Sequence, residues 1–296
     1  MTIAIALSLD DGIVLGADSA TTFTGPDGTV SNVYFNAEKI INLAKGLPIA
    51  AAVYGVGNLE GRSITSLAKD LREQLEHPTS GLDPRAYTVE EVTQRVKRFF
   101  FDDRYSKLYP LSVPDAGGVA QPVYPAFGFI VAGFSAMDRK AEMWSLAVEL
   151  DAVEPDKVAV RRLYGPGESG LVWRGQPEAL TRLIRGYSSH VHAALSQAPM
   201  SPSTATAFLS AVRVDQLVTS GMPVQDGIDL VHYLAEVTMG FVRFTSATRV
   251  VAPPIDSASI TYHEGFKWVR RKHYYDPAFN PPVPDRRMVT PLPAVE

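Results

Sequence analysis

Residues 2–9 read Thr-Ile-Ala-Ile-Ala-Leu-Ser-Leu, an apolar run that breaks at Asp10-Asp11-Gly12 and resumes as Ile13-Val-Leu-Gly-Ala17. Two short apolar runs around Asp-Gly predict a β-hairpin. The polar stretch Thr24-Gly25-Pro26-Asp27-Gly28 predicts a loop or a second hairpin tip. Glu38–Leu43 and the almost wholly apolar Leu47–Tyr54 predict two further strands. The period then lengthens. Between Asn58 and Glu76, residues Ile64, Leu67, Leu71 and Leu75 recur at helical spacing, and Pro78, Ser80 and Gly81 end the pattern. Thr88-x-x-Glu91 has the form of a capping box and opens a helix with Val89, Val92, Val96 and Phe99 on one face.

Beyond a Pro- and Gly-containing loop at Pro110–Pro125, strands are predicted at Ala126–Phe134, Ala141–Leu150 and near Val158–Leu163. Helical stretches follow around Pro177–Arg185, Ser203–Val218 and Val224–Gly240, then strands near Arg249–Ala252, Ser257–Tyr262 and Phe266–Arg270. Runs of strands and runs of helices, rather than strict βαβ alternation, imply antiparallel sheets with helices packed outside them. No internal repeat and no composition break interrupts residues 1–275, which read as one domain. Residues 276–296 form a Pro-rich tail, with six prolines from Pro277 onward.

Composition narrows the function. Hydrophobic residues make up 46% of the 296 and charged residues 20%, a globular mixture. A net charge of −4 supplies no basic footprint for nucleic acid or anionic lipid. With no cysteine there is neither a thiol nucleophile nor a thiolate metal site. Met1–Leu9 contains no Lys or Arg, and Asp10-Asp11 interrupts its apolar stretch, so it lacks the form of a secretory signal. No apolar run approaches the roughly 18 residues of a membrane span. A cytoplasmic protein whose first strand starts at residue 2 is the expectation.

The candidate chemistry begins at Thr2. Removal of Met1 leaves a threonine that carries both a hydroxyl and a free α-amine. That amine titrates near 7.7–8.0 and can take the hydroxyl proton, a nucleophile with its own base. Other patterns are poorer. Gly165-Pro-Gly167-Glu-Ser169-Gly170 matches G-x-G-x-x-G, but Pro166 and Glu168 crowd a phosphate nest and no βαβ order surrounds it. His190-x-His192 has no evident third ligand, and Arg270-Arg271-Lys272 reads as the solvated end of a strand.

The segment from Thr2 through Gly12 to Asp18 resembles the amino terminus of proteasome-type β subunits, in which a terminal Thr is followed by a glycine-turn hairpin and then Asp at this offset. Lys39-Ile40 resembles the family's catalytic lysine, and Leu47–Tyr54 runs into Gly55-Val56-Gly57 like the glycine turn before its first long helix. More loosely, Ser169 within its Gly-flanked segment resembles the family's Gly-Ser-Gly, and Pro253-Pro254-Ile-Asp256 the opening of its last strands. The likeness implies an α/β (α+β) fold, a four-layer αββα amino-terminal-nucleophile (Ntn) hydrolase sandwich of two antiparallel sheets flanked by helices.

It implies a threonine peptidase acting on peptide or protein, with no metal or cofactor, assembled as a homo-oligomeric ring. No ATPase partner is named by it. Thr2 would be the nucleophile, Lys39 and Asp18 would tune it, Ser169 would orient its amine, Gly55 N–H would face the oxyanion, and Val53 would line the substrate pocket. The family's Asp with Ser three residues later has no counterpart, since no aspartate lies between Asp229 and Asp256. A catalytically inactive ring or scaffold protein and a small-molecule amidohydrolase of the same superfamily are the alternatives. Phe99-Phe100-Phe101 bears on assembly: at about 100° per residue three aromatics cannot all face one sheet, so one is expected at a subunit contact.

Overall fold

The computed structural model describes residues 2–24, 30–115, 117–148, 158–198, 200–212, 217–245 and 251–272. The Pro-rich tail and the first two residues of the strand expected near Arg249–Ala252 lie outside them, and Val251-Ala252 is not strand. Along the chain come β1 (Ile3–Ser8), β2 (Ile13–Ala17), β3 (Thr21–Thr24), β4 (Val30–Tyr34), β5 (Ile40–Asn42), β6 (Ile49–Gly55), β7 (Asn58–Leu59) and β8 (Arg62–Ser63). Helices α1 (Ile64–Leu75) and α2 (Val89–Lys97) follow, with α2 continued by a π-helical stretch, Arg98–Tyr105, and the short α3 (Ser106–Leu108). Next are β9 (Leu111–Pro114), β10 (Ala120–Val123), β11 (Phe127–Phe134), β12 (Ala141–Val148), β13 (Val158–Tyr164) and β14 (Gly170–Gly175). The remainder is α4 (Glu178–Arg185), α5 (Ser189–Gln197), α6 (Pro202–Ala211), α7 (Val224–Phe244), β15 (Asp256–Thr261) and β16 (Gly265–Arg270).

Two five-stranded antiparallel sheets, in the orders β14-β1-β2-β15-β16 and β13-β12-β11-β6-β5, carry the fold. In β1 the two strand faces differ in side-chain size. Ala4 and Ala6 of β1 meet Ala50 and Ala52 of β6 and Ile130 and Ala132 of β11 in a cluster drawn from both sheets. The opposite face of β1, Ile3, Ile5 and Leu7, packs with Val231, Leu234 and Ala235 of α7. The outer face of the second sheet, with Ile49, Val53 and Phe129, packs on α1 and α2. Along β1, alternation with period 2 thus sends alanines between the sheets and the larger residues toward α7. Gly16 lets α7 come close, because a Cβ there would sit 2.3 Å from Val231 Cγ1. No helix among the described residues is long and apolar enough to cross a membrane.

The first hairpin turns at Asp11-Gly12, where Leu9 N–H donates to Gly12 O at 2.8 Å. Helix α1 begins six residues later than the sequence pattern predicts, because Asn58–Ser63 folds back as a small ribbon, and Ser63 Oγ caps the helix by accepting from Ser66 N–H. Thr88 caps α2 by accepting from Glu91 N–H at 3.0 Å. Residues 170–175 and 189–197, unassigned by periodicity, form β14 and α5, and the helical run expected over Ser203–Val218 is α6, which ends at Ala211.

Phe99, Phe100 and Phe101 are 3%, 0% and 1% exposed, which overturns the expectation of a solvent-facing aromatic. The π-helical stretch turns less per residue than an α-helix, so neighbouring rings spread across one apolar surface. Phe100 and Phe101 pack on Phe127 and Phe129, with closest centroid distances of 4.7 and 4.9 Å, and the Arg104 guanidinium covers Phe99 at 3.8 Å. These rings belong to the core and carry no argument for a subunit contact.

A local clasp fixes the α4–α5 turn. Glu178 accepts from Arg182 Nε (2.6 Å), Ser188 Oγ (2.6 Å) and Ser189 N–H (3.1 Å) and Oγ (2.5 Å). Burial pushes its carboxyl up, but these donors together outweigh it and bring the pKa from 4.5 down to about 2. The clasp therefore contributes stability that is fully present above about 4.5 and fades as pH falls toward about 2. In urea unfolding, Glu178→Gln is expected to lower stability at pH 6 and to converge on wild type near pH 2. An equal deficit at both pH values would detach the effect from ionisation.

Candidate active site

Thr2 is buried at the start of the amino-terminal sheet. Its carbonyl accepts from Gln176 N–H at 2.8 Å, and a Cβ on Gly175 would lie 1.8 Å from that oxygen. Gly175, at φ +99°, is the residue that lets the end of β14 reach Thr2. Across β1, Ile3 N–H donates to Asp18 Oδ1 at 3.0 Å. Asp18 follows β2, and its Oδ2 accepts from Ala20 N–H (3.0 Å) and Ala252 N–H (3.3 Å). Lys39 Nζ completes the set, 2.6 Å from Oδ1. Four donors fill this carboxylate's lone pairs and fix its plane.

Lys39 stands one residue before β5 rather than within it, anchored through Val53 N–H donating to its carbonyl at 2.9 Å. Burial pushes its ammonium below the ordinary lysine range, against the opposing charge and hydrogen bond of Asp18. Thr2, Lys39, Val53 and Gly55 line one cavity of about 550 Å³, together with Thr21 and the start of α1. Gly55 closes β6 at φ +90°, and a Cβ there would sit 1.9 Å from Ala126 O. The fold therefore demands glycine at 55 whatever its N–H does for a substrate.

Ser169 is not brought to Thr2. It precedes β14, which runs antiparallel to β1 with Gly170 opposite Ser8 and Gly175 opposite Ile3. Ser169 accordingly lies at the far end of the sheet, its Oγ donating to Asp10 Oδ1 at 2.7 Å. The turn between a strand and a helix that does flank Thr2 is Gly175-Gln176-Pro177, without a serine. The same geometry answers the G-x-G-x-x-G match. Its last glycine opens a strand, so no helix amino terminus faces a phosphate. His190 lies exposed on α5, away from this cavity.

The basic run is where periodicity misleads most. Arg271 pairs with Glu38 at 2.8 Å, next to Lys39 in sequence, and the Lys272 side chain is only 8% exposed, paired with Asp256. Lys272 Nζ also donates to Ser19 Oγ (2.6 Å) and Ala37 O (3.0 Å). Arg270 and Arg271 are exposed, as a solvated strand end would be, but for Lys272 that reading is corrected to a buried contact between the residue after β16 and the segments holding Asp18 and Lys39. Their partners lie 16 to 253 residues away, and no local pattern carries such a pairing.

No family model and no curated protein sequence matches this chain. Among solved structures, a mutant of Anbu from Hyphomicrobium sp. strain MC1, a bacterial proteasome-like protein, is similar over 92% of this chain and 86% of its own, with a TM-score of 0.50. Identity is 14%, so the likeness is one of fold. The chain has a mixed α/β architecture of antiparallel sheets and helices, similar to that of a proteasome-like protein.

Proposed function

We propose that this protein is an Ntn hydrolase of the four-layer αββα type, a threonine peptidase whose nucleophile is Thr2 once Met1 is removed. The observation that carries the reading is the Asp18 carboxylate. One of its oxygens holds both the Lys39 ammonium and the N–H of Ile3, the residue that follows Thr2, beside the cavity that Thr2 and Lys39 share. In this reading Thr2 Oγ attacks the amide carbon and passes its proton to its own α-amine. The C–N bond then breaks, the proton goes to the leaving amine, and water releases the acyl group from Oγ. Lys39 stabilises the developing alkoxide, Gly55 N–H the oxyanion, and Val53 meets the substrate side chain. Ser169 has no part in it.

A proteasome-like ring or scaffold subunit without catalysis is the second reading. It is favoured by the distance of Ser169 from Thr2 along β14 and by the lack of an aspartate between Asp229 and Asp256. Ring assembly belongs to both readings. Light scattering near 32 kDa would remove assembly from either.

An epoxyketone probe with intact-mass analysis separates the two. The peptidase reading expects a mature terminus at Thr2 and one adduct that maps there and disappears in Thr2→Ala. Methionine on essentially all molecules, or no adduct on mature protein, would favour the scaffold reading.

A further inference from the structure

Behind Ala37, which lines the cavity at Thr2, lies a second buried ion pair that the proposed chemistry does not use. Lys272 Nζ meets Asp256, Ser19 Oγ and Ala37 O, and Lys272 N–H donates to Asp256 Oδ1 at 3.1 Å. Ser19 in turn donates to Pro254 O at 2.5 Å. One ammonium therefore ties together three chain segments. Ser19 is the neighbour of Asp18, Ala37 lies two residues before Lys39, and Pro254–Asp256 continues from Ala252, whose N–H donates to Asp18.

Burying an ammonium costs several kcal/mol even when it is paired, and an apolar residue of similar volume holds segments together at less cost. A second buried Lys–Asp pair beside the first is therefore poorly explained by packing alone. It does have an electrostatic consequence. The charges facing Lys39 are Asp18 on its own side of the site, Lys272 after β16 and Asp256 on β15. Asp18 and Asp256 favour its protonated form, while Lys272 and burial oppose it.

We propose that Lys272 is a positioning residue of the Thr2 site: its ammonium, held by Asp256, Ser19 and the Ala37 carbonyl, clamps the segments that carry Asp18 and Lys39 and adds a second positive charge to the field at Lys39. The inference deepens the peptidase reading and rests on it for its meaning in catalysis. Its physical content, the coupling of Lys272 to Lys39, does not need turnover to be measured.

The test is a pH titration of the Lys39 Cε resonance in [13C]lysine-labelled full-length protein, assigned by its loss in Lys39→Met. Lys272→Met is expected to raise the Lys39 midpoint by about one pH unit, because a like charge nearby has been removed. Lys272→Arg, which keeps the cation, should return it toward wild type. Since Lys272→Met leaves the Asp256 carboxylate buried without its cation, Lys272→Met with Asp256→Asn is the companion variant, and there the shift keeps its sign but shrinks. An unchanged midpoint in either folded variant would overturn the proposal. So would unfolding of both, which would assign Lys272 to stability alone. If the midpoint moves but no probe adduct forms at Thr2, the coupling stands and the peptidase reading falls.

Discussion

Lys39→Ala is expected to slow acylation of Thr2 by about 10²–10⁴, the range lost when a charged group that assists proton transfer or stabilises developing charge is removed. Lys39 lines the cavity with Thr2 and is bound to the carboxylate that also holds Ile3 N–H. The substitution also leaves Asp18 fully buried with three backbone donors and no counter-charge. Breaking a buried pair from one side costs about 3–5 kcal/mol, so rates must be compared well below the variant's melting temperature. Pairing Lys39→Met with Asp18→Asn separates the two effects: much of the stability is expected to return, the rate is not. Single-turnover adduct formation followed by intact mass, with circular dichroism as the fold check, reads both. Wild-type kinetics in folded Lys39→Ala would reduce the Lys39–Asp18 pair to a structural role.

Gly175→Ala is expected to be strongly destabilising, at about 3 kcal/mol or more. Two terms add: φ of +99°, with strain of about 1–3 kcal/mol, and overpacking of about 1–3 kcal/mol against backbone that cannot swing aside. The new Cβ would lie 1.8 Å from Thr2 O and 2.7 Å from Thr2 C. Relief requires β14 to draw away from β1, which loosens the Gln176 N–H bond to Thr2 and displaces the nucleophile. Gly61→Ala is the control, since Gly61 also has a positive φ, +75°, but its Cβ would meet nothing within 4 Å. Only the strain term, about 1–2 kcal/mol, applies there. Guanidinium unfolding of both variants makes the comparison, and equal losses would mean that β14 does not press on Thr2 in solution.

Residues whose partners are near in sequence declared themselves. Asp11-Gly12 between two apolar runs specified the first hairpin, Ile64, Leu67, Leu71 and Leu75 the buried face of α1, and Thr88 the start of α2. The offsets of Asp18 and Lys39 from Thr2 were also legible, through a resemblance rather than through periodicity. Three features were not. Ser169 drew attention by its glycines, yet strand direction decides which end of β14 meets Thr2, and antiparallel pairing with β1 gives that place to Gln176. Phe99–Phe101 broke the α-helical period because the backbone itself widened into a π-helix against Phe127 and Phe129, rings supplied by a strand some thirty residues on. Lys272 looked like a solvated terminus because Asp256, Ser19 and Ala37 become its neighbours only when β15 and β2 pair and the segment after β16 folds across them. Local sequence sets the period of burial and the caps that bound it. Which charges share a cavity is set by sheet closure, and that is a property of contacts far apart in the chain.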